Sequence, residues 1–406
     1  MQEISKTART LAVTALLFTT AIGMGDLALT PIIAAIYQAF PGSTNFVNYI
    51  VSGPMAVMLV MSLLTPSLVR KLGKKMVIVT GSAIFGVGAI CSVMILNPVY
   101  FAVMRTLVGI GTGMVMVVSM SLIPDLYEDT QARAKISGFY TAAGSVAGMT
   151  LAFVSGRIAA AGTWTDPFKI FWIAIPLTIM LIIFIPNIKP RESEKDVKRI
   201  SAKEPLGRRF WIMNINVFVM NVVFGATVLY FISSYIIDNG IGDASTAGLA
   251  TSIKSIVGFL IGLAFGSIYK RSKLFTPAIC SLITAPCLVI MVIWPSVLSA
   301  LLIGTIAGTT YKVMTSFYMV YCFSVVPPNR IDDAIAINGA FGYIGGFLAT
   351  YYATFLMSAM NTDSVTKTFI VSAVIIGILG VFQLFMGIKE TRDSKSVEET
   401  SAATAV

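Results

Sequence analysis

The sequence predicts an all-α polytopic membrane protein, and three observations carry that prediction. Hydrophobic residues make up 56% of the chain, charged residues only 12%, and the mean hydropathy is +0.85. A soluble globular domain carries roughly 25% charged residues. The apolar residues also fall into runs of about 20, the length that spans a bilayer as a helix. Because backbone groups in lipid must bond internally, such long uniform runs favour helices over barrel strands.

Twelve apolar runs follow one another along the chain, and each predicts one transmembrane helix. Their approximate limits are 11–37, 46–68, 76–96, 99–124, 136–160, 168–187, 210–236, 245–268, 275–294, 297–325, 334–360 and 367–388. An even number of spans places both chain ends on the same side of the membrane.

The distribution of basic residues between the loops predicts the orientation. Alternate loops carry Lys or Arg, whereas the loops between them carry neither. The loops without basic residues are 41–44, 97–98, 162–166, 238–243, 294–296 and 361–363. By the positive-inside rule, both termini and the central loop are cytoplasmic, and we expect a multi-pass protein of the cell (plasma or inner) membrane. The net charge of +10 is therefore mainly a topology signal and does not indicate nucleic-acid binding.

A charged insert divides the chain into two parts. It contains Pro190 and Pro205 and has the composition of a linker. The predicted units are an N-terminal six-helix bundle at 1–188, a cytoplasmic linker at 189–209, a C-terminal six-helix bundle at 210–390 and a disordered cytoplasmic tail at 391–406. Two pseudo-symmetric six-helix halves are typical of alternating-access transporters, which bind substrate near the bilayer midplane.

The loop after the second run resembles the signature of the major facilitator superfamily, G-x-L-x-D-R-x-G-R-K. Residues 66–75 read Pro-Ser-Leu-Val-Arg-Lys-Leu-Gly-Lys-Lys. The positions that match are Leu68, Lys71, Gly73, Lys74 and Lys75. Arg70 stands where the signature has Asp, and Pro66 where it has Gly. In that family the Asp caps a charge relay with the end of helix 4. The resemblance implies an altered relay, in which Asp125 meets Arg70 or Lys74.

A partial second copy of this loop follows the eighth run. It matches the signature at Gly266, Ile268 and Arg271 and also lacks the Asp. The loops after the fourth and tenth runs each carry an arginine, Arg133 and Arg330. The residues that the resemblance implies for a conformational gating loop are Arg70, Gly73, Lys74, Asp125, Arg133, Lys270 and Arg271.

The fourth run carries Arg105-Thr-Leu-Val-Gly-Ile-Gly, which resembles the R-x-x-x-G-x-G motif of drug:proton antiporters and arabinose-efflux-like permeases. In those proteins the Arg is linked to proton coupling. The fifth run carries Gly144 and Gly148, but Met149 stands where the antiporters have Pro. The resemblance covers nearly the whole chain. It implies the superfamily fold, a monomer and secondary active transport by alternating access.

Asp26 is the acid that lies deepest in the predicted membrane, where a carboxylate costs about 2.5–3.5 kcal/mol. It lies about 11 residues, or ~16 Å, from the outer end of its run. Arg105 lies about six residues, or ~9 Å, from the outer end of the fourth run. We therefore expect the two side chains to pair. Such a pair is either a static structural bridge or a proton site whose charge state changes during transport.

Two further deep cations, Lys254 and Lys312, have no acid at their depth in the sequence. A buried cation must be neutral or meet an anion, and the economical hypothesis is that the anion is the substrate. The alternative is that the long side chains snorkel to the membrane surface. The residues predicted to contact substrate are Lys254, Lys312, Tyr311, Tyr230, Asn221 and Asn338.

These features predict a proton-coupled transporter that exports a small organic solute of anionic or amphipathic character. A second hypothesis is an organic-anion uptake carrier or anion exchanger, in which the lysines bind substrate and Asp26 is structural. The chain has no histidine, and its four cysteines show no metal-ligand spacing. We therefore expect no enzyme activity, no cofactor and no metal site. The expected partners are a small-molecule substrate, protons and the lipid bilayer, without nucleic acid.

Overall fold

The fold is built entirely of helices within the residues that the computed structural model describes. Those residues are 5–127, 130–187, 205–326 and 331–404. The helices before the central insert are α1 (Lys6–Gly23), α2 (Ile33–Ala39), α3 (Thr44–Leu72), α4 (Lys74–Cys91), α5 (Pro98–Leu126), α6 (Thr130–Ala161) and α7 (Ala174–Phe184). The helices after it are α8 (Arg208–Phe224), α9 (Ile232–Asp238), α10 (Ala244–Ser272), α11 (Thr276–Ile293), α12 (Val297–Val325), α13 (Ile331–Ala359) and α14 (Thr366–Thr404). The predicted all-α class is confirmed.

Two of the predicted spans, the first and the seventh, are broken helices. Within the described residues, tighter 3₁₀ segments cover Gly25–Ala28, Thr30–Ile32, Asp166–Ile173 and Lys273–Phe275, and a wider π segment covers Gly225–Tyr230. Helices α1 and α2 are bent by 46° across their break. Pro31 lies in this break and has no backbone N–H to donate, which favours the interruption. The π segment separates α8 from α9.

The helices have the length and composition of membrane spans. Among the described residues, ten are long and apolar enough to cross a membrane, or eleven if the bent pair α1 and α2 is one span. Each of the twelve predicted runs falls on helix. The eleventh run lies on α13, which is not one of the ten helices that meet the length and composition of a span. The count of twelve spans and the position of the termini stay predictions.

The boundaries of the predicted units fall partly outside the described residues. Residues 188–204, which include most of the predicted linker, are not among those described. Helix α14 continues to Thr404, so residues 391–404 are helical where the sequence predicts a disordered tail. Extending a helix that has already formed costs far less free energy than nucleating a new one, which favours this continuation.

The first and second parts of the chain meet where α6 crosses α10. A methyl group added at Gly156 would lie 2.6 Å from the Ala244 carbonyl oxygen, so the close approach requires glycine there. Gly248 faces Gly156 across the same crossing. Ser252 Oγ donates to the Met149 carbonyl oxygen over 2.9 Å. All of these contacts lie toward the predicted outer ends of the two helices.

A second crossing joins α3 to α13 through neutral hydrogen bonds. The Ser52 and Thr350 hydroxyls are 2.8 Å apart, and Asn48 Nδ2 donates to Thr354 Oγ1 over 2.9 Å. These residues also lie toward the predicted outer ends of their helices. The two parts of the chain are therefore held together on the predicted outer side by small residues and neutral polar groups.

Candidate functional site

A cavity of about 380 Å³ lies between the two parts of the chain. Helices α1, α3, α5 and α6 line it on one side, and α8, α10, α12 and α13 line it on the other. Its volume falls within the roughly 300–1,000 Å³ of small-molecule sites. A site between two bundles is also where an alternating-access transporter binds its substrate.

The cavity lies on the predicted cytoplasmic side of the two crossings. Helix α6 lines it with residues 140–148, whereas residues 149–156 of the same helix contact α10. Helix α3 lines it with Met55, one turn past the hydrogen-bonded Ser52. The crossings therefore separate the cavity from the predicted outer side.

Most of the cavity wall is apolar and adaptable. Four methionines line it: Met24, Met55, Met116 and Met120. Phe224 and Phe259 add aromatic surface. Methionine is unbranched and polarizable, so it can fit apolar ligands of varied shape. This wall could not be predicted from the sequence, because methionine is equally common in packed cores.

Lys254 and Lys312 are the only charged residues in the described lining. Lys254 is half-buried on α10, and its Nζ donates to the Val228 carbonyl oxygen over 3.1 Å. Lys312 is exposed on α12, and its ammonium forms no hydrogen bond or ion pair with a described residue. The described lining thus has two positive charges and no acid.

The two lysines and two glycines form a reciprocal arrangement between α10 and α12. The stem of Lys254 packs on Gly308, where an added methyl group would overlap its Cγ. The stem of Lys312 lies over Gly258, where an added methyl group would be 3.9 Å from its Cγ. Each lysine therefore lies against the glycine of the neighbouring helix, and both stems run along one helix–helix seam.

Tyr311 and Asn221 form a neutral polar contact in the same wall. Tyr311 Oη donates to Asn221 Oδ1 over 2.9 Å, and the Tyr311 ring lies 5.8 Å from that of Phe224. All three residues line the cavity. Of the six predicted substrate contacts, the structure therefore places Lys254, Lys312, Tyr311 and Asn221 in one cavity.

The other two predicted contacts, Tyr230 and Asn338, are not among the residues that line the cavity. Tyr230 lies behind the wall, where its hydroxyl faces Met55 Sδ at 3.3 Å. It belongs to the π segment, whose wider turn changes the face on which later side chains lie. Asn338 Nδ2 instead donates to Asn214 Oδ1 over 3.2 Å, a contact between α13 and α8.

Asp26 and Arg105 form the ion pair that the sequence predicts. Arg105 Nη2 lies 2.5 Å from Asp26 Oδ1, and Arg105 Nε donates to the Ile50 carbonyl oxygen over 2.8 Å. The arginine side chain is 1% exposed and that of Asp26 is 30% exposed. Asp26 lies in the break between α1 and α2. Its neighbours Met24 and Leu27 line the cavity, whereas Asp26 itself does not.

Among the described residues of the predicted gate, Lys74 and Asp125 form an ion pair. Lys74 Nζ lies 2.5 Å from Asp125 Oδ2 and 2.6 Å from the Ser121 carbonyl oxygen. Arg70 instead donates to Ser67 Oγ over 2.7 Å, so Lys74 is the residue that meets Asp125. Gly73 joins α3 to α4 with a φ of +82°, a conformation that favours glycine.

For the other basic residues of the predicted gate, the structure describes Lys270 and Arg271 in full and Arg133 only in its backbone. Lys270 and Arg271 are exposed in the last turn of α10. The side chain of Arg133, on α6, and all of Arg330 lie outside the described residues.

A second buried polar cluster, which the sequence did not indicate, lies near the predicted cytoplasmic end of α14. Glu390 Oε1 accepts a hydrogen bond from Tyr321 Oη over 2.5 Å and lies 3.8 Å from Arg209 Nε. About two turns before Glu390 on α14, Gln383 accepts a hydrogen bond from Ser281 Oγ over 2.8 Å and donates one to Tyr318 Oη over 3.0 Å. The cluster joins α8, α11, α12 and α14 within the second part of the chain.

Comparison with known proteins identifies related sequences. A family model of the Major Facilitator Superfamily matches residues 13–350. The Major facilitator superfamily multidrug transporter mfsC of Aspergillus fumigatus is 22% identical over 289 residues, which cover 68% of this chain and 50% of the fungal protein. The chain thus spans about half the length of that relative. An uncharacterized MFS-type transporter of Methanocaldococcus jannaschii is 22% identical over 374 residues, 90% of this chain and 96% of its own.

Two solved structures of a bacterial homologue of the human lysosomal transporter Spinster share the fold. The inward-facing, unoccupied structure matches with a TM-score of 0.76 at 14% identity and covers 96% of this chain and 99% of the other. The inward-facing, occupied structure matches with a TM-score of 0.72 at 16% identity and covers 95% and 98%. This likeness confirms the predicted fold class.

Proposed function

The chain belongs to the Major Facilitator Superfamily, and from that premise we propose that it is a proton-coupled secondary active transporter that exports a small amphipathic organic anion. The family consists of membrane transporters, which confirms the predicted choice of a transporter over an enzyme. The observation that carries the proposal is the cavity between the two parts of the chain, whose described lining holds two lysines and no acid.

The anionic character of the substrate follows from that charge. Lys254 is half-buried beside a largely apolar cavity, where an anion would offset the cost of desolvating its ammonium, and the exposed Lys312 adds a second positive charge to the same cavity. The methionines and aromatic rings of the wall suit an apolar body attached to the anionic group. Tyr311 and Asn221 supply neutral hydrogen-bonding groups beside the lysines.

The proton-coupling proposal rests on Asp26. Its carboxylate pairs with a fully buried arginine at a helix break next to the cavity. A carboxylate that keeps this partner in one conformation and loses it in another changes its proton affinity between the two. Asp26 and Arg105 are therefore the proposed coupling residues, with Lys74 and Asp125 as the proposed gating pair.

Export is supported by resemblance. The fungal relative is described as a multidrug transporter, and the Arg105 motif resembles that of drug:proton antiporters. We further propose a monomer in the cell membrane with both termini cytoplasmic, as the loop charges predict.

One observation favours a second candidate, an organic-anion uptake carrier or exchanger with a structural Asp26. Asp26 is not among the cavity-lining residues, and its arginine partner is already satisfied by both the carboxylate and a backbone carbonyl. In this candidate the lysines still bind the substrate.

A matched set of ligands tests the substrate class. Phenylbutanoate, its amide and phenylbutylamine share one apolar body and differ in charge. Because a ligand stabilises the state that it binds, the thermal midpoint of the purified protein should rise with phenylbutanoate and stay unchanged with the amide and the amine. A rise with the amine alone would contradict the anion proposal. In proteoliposomes, a proton flux that depends on substrate tests the coupling. If there is no such flux, the second candidate, an organic-anion carrier or exchanger, is favoured.

A further inference from the structure

The charges of the cavity and its surroundings do not balance within the described part of the chain. Asp26 and Arg105 compensate each other, with one negative charge against one positive charge. Lys254 and Lys312 have no such compensation, because the described lining holds no acid. The described lining therefore offers two positive charges to a ligand, and a ligand that pairs with both lysines supplies two negative charges rather than one.

The packing of α10 and α12 brings both ammonium groups to the same cavity. Lys254 lies against Gly308 of α12, and Lys312 lies against Gly258 of α10. Both lysines also line the cavity. Each stem therefore lies on the helix that carries the other lysine, and both lysines belong to one wall of the cavity.

The two ammonium groups keep most of their hydrogen-bonding capacity. Each ammonium has three donors. Lys254 uses one on the Val228 carbonyl oxygen, and Lys312 uses none on a described residue. About five donors are thus left, more than the roughly four acceptor positions of a single carboxylate. The neutral Asn221 and Tyr311 beside them are already bonded to each other.

We propose that the transported solute carries a dianionic head group, such as two neighbouring carboxylates or a phosphate monoester, on a small apolar body. Lys254 and Lys312 bind the head group together, and the methionine wall contacts the body. This inference rests on the proposed function, since it specifies the charge of the same substrate in the same cavity.

Benzylsuccinate and phenylbutanoate provide the test, because benzylsuccinate is phenylbutanoate with one added carboxylate. Benzylsuccinate monoamide is the control for size, and phenethyl phosphate distinguishes a phosphate from a dicarboxylate preference. Calorimetric titration of the full-length protein in detergent at neutral pH measures affinity and stoichiometry. We expect both dianions to bind about tenfold more tightly than phenylbutanoate or the monoamide, the effect of one additional charge-assisted contact.

Single Lys254→Gln and Lys312→Gln variants should each remove this preference, so that benzylsuccinate and its monoamide bind equally. The glycines supply a matched pair of variants that keep both charges. Gly308→Ala overlaps the Lys254 stem and should reduce the dianion preference, whereas Gly262→Ala, on α10 and not among the lining residues, meets nothing within 4 Å and should retain it.

The outcomes separate this inference from the proposed function. Equal binding of benzylsuccinate and its monoamide to the wild-type protein would overturn the dianion inference and leave an anion transporter. Binding of two phenylbutanoate molecules per protein, as tightly as one benzylsuccinate, would also overturn it. Binding of none of these anions would overturn the proposed function itself.

Discussion

The two parts of the chain place charge in the membrane in opposite ways. In the first part, Arg105 is buried, and Asp26 together with a backbone carbonyl satisfies its guanidinium. In the second part, Lys254 and Lys312 face a cavity without an acid in its described lining. The first arrangement is complete without a ligand, and the second is not.

This difference underlies the division of roles that we propose for the two parts in transport. A self-compensated pair changes its energy only when a proton or a conformational change separates its members. Two uncompensated cations change their energy when an anion arrives. The first part is therefore suited to respond to protons and the second to respond to substrate.

The largest effect is expected on removing one member of the compensated pair. Arg105→Gln leaves the half-buried Asp26 carboxylate without its cation, which should lower the free energy of unfolding by roughly 2 kcal/mol. Thermal or denaturant unfolding in detergent measures this. The double variant Asp26→Asn with Arg105→Gln removes both charges and should recover most of the loss. If Arg105→Gln is as stable as the wild type, the pair does not compensate a buried charge.

Removing a lysine from the second part should leave the stability nearly unchanged but weaken ligand binding. Lys312→Gln removes an uncompensated cation, so the free energy of unfolding should stay within about 0.5 kcal/mol of the wild type or rise. Phenylbutanoate affinity should fall about tenfold, because a charge-assisted contact is lost. Lys312→Arg keeps the charge and should retain binding. A large loss of stability in Lys312→Gln would show that the lysine has a structural partner.

A smaller effect is expected for the neutral contact in the cavity wall. Tyr311→Phe deletes the hydrogen bond to Asn221 and should lower the free energy of unfolding by about 1 kcal/mol. It should also weaken phenylbutanoate binding, since both groups line the cavity. Tyr230→Phe is the matched control, because Tyr230 lies behind the wall. The affinity of this variant for phenylbutanoate should be unchanged. Equal effects of the two variants on binding would contradict this geometry.

The smallest effect is expected at the N-terminus of α10, away from both sets of deep charges. Asp243 accepts a hydrogen bond from the Thr246 backbone N–H over 2.9 Å, and this bond lowers the pKa of the Asp243 carboxyl. Its stabilising contribution is complete above the ordinary Asp pKa of about 3.9 and is lost as the pH falls below it. Asp243→Ala should lower the free energy of unfolding by about 0.5 kcal/mol at neutral pH without changing transport. Asp243→Asn, which keeps a capping oxygen, should be nearly neutral.

Much of the fold could be predicted because hydropathy and length are local properties of the chain. Each predicted apolar run falls on helix. The π segment Gly225–Tyr230 could not be predicted, because it contains no proline and its apolar residues fit an ordinary helix equally well. The break at Gly25–Ile32 has a signal in hindsight, the glycines and the proline around Asp26.

For the candidate site, the depth of each side chain in the membrane could be predicted, but the helix face on which it lies could not. The Asp26–Arg105 pair could be predicted because rise per residue gives the depth of each side chain along its helix. Tyr230 was predicted to line the cavity but lies behind the wall, because the π segment shifts the face of the helix. The Lys254–Gly308 contact depends on the register between two helices, which one sequence does not contain.

The contrast between the two parts is tested most directly by transport of 4-phenylbutanesulfonate in proteoliposomes containing Asp26→Asn. This sulfonate has the apolar body of phenylbutanoate but stays ionised, so it does not cross the bilayer unaided as the neutral form of a carboxylic acid does. Asn imitates the protonated carboxyl at nearly the same size. The variant should still exchange labelled for unlabelled sulfonate at equal pH, because both lysines are intact. It should fail to accumulate the sulfonate when a pH gradient is imposed, because its proposed proton site is fixed in one state. Full accumulation driven by the gradient would contradict the division of roles and leave Asp26 as a structural residue.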